Sequence, residues 1–144
     1  MNAAVRTAQT GALLSRACIA MVNGDRVGAT ELFTEDVSIV APHLEVSSRQ
    51  ELVERFTDWQ DALSNVTTAI FGLCLDDDTA SVDWQVSADH CGALFMDEDE
   101  LFEATGQRLH MAGHAVVGIR RGRIHSVTFW ESAPTLLAQL RSAR

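Results

Sequence analysis

Apolar residues change their spacing at about Asn65, and that change limits the fold more than any other feature. Before Asn65 they recur mostly every three or four residues; from there to about residue 131 they alternate. Alternation gives an extended strand one apolar and one polar face. It runs through four stretches, near 66 to 75, 79 to 91, 107 to 120 and 123 to 131, with turns at Asp76-Asp77-Asp78 and Arg121-Gly122. In the second stretch Val82, Trp84, Val86 and Ala88 form the apolar row, Asp83, Gln85, Ser87 and Asp89 the polar one, and His90 ends the apolar row.

The first half reads as helices. Leu14, Cys18, Met21 and Val22 share one face of a helix from about residue 8 to 22, closed by Asn23-Gly24. A shorter helix over roughly 25 to 33 precedes a strand, "DVSIVAP", that Pro42 stops. Ser48 caps a third helix, with Glu51 three residues on as a capping box and Leu52, Phe56, Trp59 and Leu63 on one face. The acidic "MDEDE", 96 to 100, belongs to a longer loop or arm, and the acidic runs 76 to 78 and 97 to 100 read as solvated turns. "ESAPTLLAQL" ends the chain as a helix, with Ser132 as cap and Pro134 in the first turn. This order predicts an α+β fold, a curved antiparallel sheet wrapped around three N-terminal helices, with a short C-terminal helix.

Composition narrows the function. At 144 residues and 47% hydrophobic, the chain is expected to form a single domain, 1 to 144, with its core over about 9 to 141. A formal net charge of −9 argues against nucleic acid and anionic lipid as partners. All 11 basic residues are Arg, so no lysine can form a Schiff base, and there is no Tyr to donate a proton to an oxyanion. Cys18, Cys74 and Cys91 are odd in number and widely spaced, which fits a reducing cytoplasm rather than a disulfide framework. No stretch approaches the roughly 20 apolar residues of a membrane span. A soluble cytoplasmic protein is the expectation.

Several motifs together resemble a known family. "SADHCGALF", then "ATGQRLHMAGHAVVGIRRGRIHSVTFWE" and "LLAQL", carry in order a His-x-Gly turn, a Thr-Gly hairpin, a Gly-Arg-Ile hairpin and a terminal Gln-Leu. This pattern resembles the SnoaL-like polyketide cyclase branch of the nuclear-transport-factor-two-like superfamily. The resemblance implies a conical barrel, commonly a homodimer, whose pocket takes a small apolar or polycyclic ligand. Its members include aldol cyclases, ketosteroid isomerases, epoxide hydrolases, dehydratases and catalytically silent binding modules, so fold alone does not settle function.

The resemblance can be tested residue by residue. A ketosteroid isomerase would carry a base carboxylate where this chain has Ala41, a tyrosine where it has Ala17, and a partner carboxylate where it has His114. An epoxide hydrolase would carry an Arg-x-Asp where this chain has Trp84-Gln85-Val86. An aldol cyclase of this branch ends its last strand in Trp-Pro-Asp; here the sequence is Trp130-Glu131-Ser132, with the carboxylate one place earlier. One residue of slip turns a side chain to the opposite face of a strand, and Glu131 is in phase with Val127 and Phe129. A dehydratase would use paired His and an Asp; His90, His110 and His114 are present, and Asp58 would have to supply the acid.

The candidate catalytic residues are therefore Glu131, His114 and His90. A carboxylate among Val127 and Phe129 suits proton transfer, though the same residue just before a helix could serve only its dipole. His114 would polarise a ligand carbonyl, and His90 would shuttle protons at a pocket rim; the alternatives are a solvated or dimer-facing His114 and a strand-end His90. Trp59, Trp84, Phe56 and Phe129, with Asp58, are the candidate ligand-binding residues, the rings doubling as ordinary core. "HMAGH" is no metal site on a strand, because its two rings stand about 13 Å apart. The expectation is a metal-free, cofactor-free acid–base enzyme of the cyclase, isomerase or dehydratase type, with a non-catalytic ligand-binding or dimerisation module as the alternative.

Overall fold

The computed structural model describes residues 2–42, 44–97 and 100–143. Helix α1, Ala3–Asn23, starts earlier than the apolar stripe alone suggests, because Asn2 caps it by accepting the Val5 N–H at 2.8 Å. Gly24 ends it in a left-handed conformation, φ 67°. Asp25 then caps α2, Arg26–Leu32, which runs directly into β1, Phe33–Ala41, and the short β2, Leu44–Val46.

Helix α3, Arg49–Ala62, begins at Ser48, whose hydroxyl accepts the Glu51 N–H at 3.1 Å. Glu51 reaches back one residue further than a capping box requires, taking the Ser47 N–H at 3.1 Å. Ser48→Ala should cost about 1 kcal/mol of stability, read as a lower denaturant midpoint at unchanged slope.

The four alternating stretches form β3, Leu63–Asp76, β4, Thr79–His90, β7, Arg108–Arg120, and β8, Arg123–Glu131. They build one six-stranded sheet in the order β2-β1-β8-β7-β4-β3. The sheet is mixed rather than wholly antiparallel: β1 runs parallel to β8, with Ile39 opposite Val127. It is curved but not closed, so the cone has edges at β2 and β3.

The stretch read as a loop or arm forms a separate hairpin, β5, Leu94–Asp97, with β6, Glu100–Phe102; Glu98 and Asp99 lie outside the described residues. Glu100 is not a free turn carboxylate, since it pairs with Arg141 at 2.9 Å.

The last helix, α4, Leu136–Ser142, corrects a second expectation. Ser132 lies too far ahead of Leu136 to cap it; its N–H donates to Ala112 O at 2.8 Å and continues the β7–β8 ladder. Thr135 is the cap, accepting the Ala138 N–H at 3.2 Å, and Pro134 lies ahead of the helix. Gln139 clips α4 to the edge of β7: its amide accepts the His110 N–H at 3.0 Å and donates to the His110 carbonyl at 2.6 Å.

Two apolar clusters result. The larger, with Phe33, Val37, Ile39, Leu52, Phe56, Ile124 and Val127, lies between the helices and the concave face of the sheet. The smaller, with Ala62, Leu94, Phe102, Leu109 and Leu140, sits under the β5–β6 hairpin and α4. Trp59 packs against both. Full burial of such side chains stabilises by roughly 1.5–3 kcal/mol each, and the core here stops short of filling the cone.

Candidate functional site

The space left inside the cone is a cavity of about 270 Å³. Its wall is overwhelmingly apolar. Helix α1 contributes Leu14, Ala17, Cys18 and Met21, the β1–β2 turn Ala41 and Pro42, and the inward rows of β4, β7 and β8 supply Trp84, Met111 and Phe129. Of the charged residues described, the wall includes two, Glu131 and Arg55. Pockets of this composition hold small, largely apolar ligands oriented by a few polar groups.

Glu131 reaches the wall by strand parity: it stands opposite Gly113 on β7, in phase with Phe129 and Val127. Its Oε2 accepts the Leu136 N–H at 2.7 Å, at the first turn of α4. Both readings of this residue therefore hold at once, on the cavity wall and at a helix start. Among the described residues Oε1 takes no hydrogen bond, which leaves one carboxylate oxygen for a ligand.

The aromatic candidates divide. Trp84 and Phe129 meet edge to face at 5.9 Å, and the Trp84 indole N–H donates to the His114 carbonyl at 3.2 Å, which fixes the ring plane. Gly113 makes this possible, because a Cβ there would come within 2.9 Å of the Trp84 ring. Trp59 also lines the cavity. Phe56 does not: it is fully buried in the larger core behind Trp59, ring centroids 6.1 Å apart. Asp58 does not either; it is exposed on α3 and pairs with Arg55 at 4.0 Å.

The histidines do not join Glu131. His114 stands opposite Asp83 and Trp130 on the outer face of the sheet, with its Nδ1 3.1 Å from Asp83 Oδ1 and its ring 6.0 Å from Trp130. His110 shares that face, paired with Ser87 at 2.9 Å. So does Arg108, which donates to Asp89 and to the Asn65 carbonyl, each at 3.0 Å.

His90 points inward as the alternation predicts and is 0% exposed, yet it is not on the cavity wall. The Thr105 N–H donates to its Nδ1 at 3.3 Å and the Thr105 hydroxyl lies 3.0 Å from the same atom. Nδ1 therefore serves as the acceptor, and Nε2 has no partner among the described residues. His90 and His114 thus occupy opposite faces of one sheet and neither lines the cavity with Glu131, which corrects the expectation that His114 or His90 is its partner.

Three features of the wall escaped sequence reasoning. The α1 stripe was legible as an apolar face, but a core face and a cavity face have the same periodicity. Arg55 precedes Trp59 by four residues on α3, and that spacing was the available signal. Cys18 lies on the wall with its thiol pushed up to about 11 by burial, so it stays protonated and is no nucleophile at neutral pH. Among the described residues no three of His, Cys, Asp and Glu come together as a metal site would need.

Comparison with known proteins agrees with this geometry. The family model for SnoaL-like polyketide cyclases matches residues 12–140. Among solved structures, TsrD from Streptomyces laurentii superposes with a TM-score of 0.76 at 15% identity, covering 92% of this chain and 95% of that one. IdmH from Streptomyces antibioticus, a candidate polyketide cyclase, gives 0.69 at 19% identity over 90% and 96%. An epoxide hydrolase of M. tuberculosis gives 0.70 at 10% identity over 96% and 93%. At these identities the likeness establishes the fold. No curated protein sequence matches the chain. No described helix is long and apolar enough to cross a membrane.

Proposed function

This chain belongs to the SnoaL-like polyketide cyclase family, and we propose that it is a cofactor-free acid–base enzyme acting on a small apolar or polycyclic metabolite. Glu131 carries the reading, as the one carboxylate among the described residues on the wall of a largely apolar cavity, with one oxygen anchored by a backbone N–H and the other taking no hydrogen bond among those residues. Anchoring by the Leu136 N–H holds the carboxylate in one orientation, so its second oxygen can take a proton from a carbon next to a ligand carbonyl and return it elsewhere. Trp59, Trp84 and Phe129 offer flat surfaces to a ring system, and water is displaced when such a ligand enters. The reaction class is cyclisation or isomerisation; a dehydratase built on paired histidines finds no support, because neither His90 nor His114 reaches the wall. Product formation by the purified protein from polycyclic ketones, with nothing else added, tests the proposal.

A second reading rests on a different observation. The wall carries Ala17 and Ala41 where related isomerases place polar groups, which suits a binding module. Tight quenching of tryptophan fluorescence by a polycyclic ketone without any conversion would favour it over the enzyme.

The outer face of the sheet supports a homodimer. Val40, Phe71 and Trp130 stand on it 47%, 46% and 52% exposed, spread from β1 across to β3, and such apolar side chains on a broad sheet face suit a self-complementary contact. Sedimentation should give twice the 15.7 kDa of one chain, and Trp130→Asp should shift the mass towards monomer. A wild type that sediments as monomer removes the homodimer. We place the protein in the cytoplasm on its three unpaired cysteines, which suit a reducing compartment.

A further inference from the structure

We infer that the ligand of this cavity carries an anionic group, such as a carboxylate, and that Arg55 at the rim selects and orients it. The inference rests on the ligand-pocket reading above and deepens it by naming the substrate class.

Arg55 differs from the other arginines in where it stands. Arg108, Arg120 and Arg141 make close pairs with Asp89, Asp36 and Glu100, and none of these three lines the cavity. Arg55 lines the cavity, and its side chain remains 49% exposed, so it sits where the apolar wall meets solvent. Its partner Asp58 is 4.0 Å away and itself half-exposed. A pair of that length between solvated side chains contributes little and is readily exchanged for a better acceptor.

Trp59, one helical turn on from Arg55, presents its ring to the same cavity. A flat ligand against Trp59 would therefore bring a substituent to the guanidinium. A guanidinium fork holds a carboxylate through two parallel bonds, and it keeps its charge at any physiological pH.

The rest of the molecule gives an anion no help. The net charge is −9, and the other charged group on the wall is the carboxylate of Glu131. An anionic substituent thus has one favourable position, at Arg55, and is repelled from Glu131. Binding in that sense leaves the uncharged rings inside and presents a ring carbon, not the acid, to Glu131.

The test uses two ligands of the same ring system, anthraquinone-2-carboxylate and 2-(hydroxymethyl)anthraquinone, titrated against tryptophan fluorescence. The carboxylate should bind about tenfold more tightly to the wild type. Arg55→Gln should erase that preference, the carboxylate then binding no more tightly than the neutral compound to the same variant, and Arg55→Lys should retain part of it. Asp58→Asn, which removes the competing carboxylate, should widen the preference by about threefold. Equal affinities in the wild type, or a preference that survives Arg55→Gln, would overturn the inference while leaving the pocket reading intact. If neither compound quenches, the pocket reading fails and this inference fails with it.

Discussion

Glu131→Gln is expected to lower turnover by about a hundredfold or more while leaving the protein folded. The substitution is informative because the two roles of this side chain separate under it. Glutamine keeps a carbonyl oxygen that can still accept the Leu136 N–H, now 2.7 Å from Oε2, so the start of α4 remains capped. It loses the ability to take up and release a proton. Glu131→Ala removes both functions and should in addition cost about 1 kcal/mol of stability, as loss of a capping acceptor does. The measurement is the rate of product formation from whichever polycyclic ketone the wild type converts, with thermal melts of all three proteins alongside. Near-wild-type turnover in Glu131→Gln would remove this residue from the chemistry and leave it a helix cap on a cavity wall.

Glu131 also illustrates how far the site was legible. Its inward direction followed from parity with Val127 and Phe129 and needed no partner strand to be known. The same parity places His114 outward, in step with His110 and Arg108, while Leu109, Met111, Ala115 and Val117 form the inward row. The family resemblance maps His114 onto an inward-facing acid, and on this strand the alternation outweighs that mapping. His90 followed its parity too, but direction alone could not tell the cavity from the closed end of the cone, where the second cluster packs.

The helices and long strands were readable because their periods differ and their turns carry Gly and Asp. The parallel pairing of β1 with β8 was not, since the two are far apart in the chain and strand pattern carries no direction. The α4 cap was missed for a related reason: the strand before it runs one residue further than its apolar row, using Ser132 as a ladder donor. Phe56 and Trp59 share a helix face, yet one is core and the other wall. Periodicity reports apolar surroundings and is blind to whether they are filled.

Gly113→Ala should be the most damaging single-atom addition in the sheet. Gly113 stands opposite Trp84 on one side and Glu131 on the other. A Cβ there would collide with the Trp130 carbonyl oxygen and fall 2.9 Å from the Trp84 ring. The first of these is backbone and cannot rotate away, so β7 and β8 must separate locally; the second is a ring held by its bond to the His114 carbonyl. Overpacking of this kind costs about 3 kcal/mol, which for a chain of this size lowers the melting temperature by about 10 °C. The displacement falls on β8, which carries Glu131, and on the Trp84 ring packed over Gly113, so ligand quenching of tryptophan fluorescence should weaken along with stability. Ala112→Gly, one residue away on the outer face, is the control: it should leave ligand affinity unchanged. A Gly113→Ala variant that melts and binds as the wild type does would mean that the glycine is not what gives Trp84 its place on the wall.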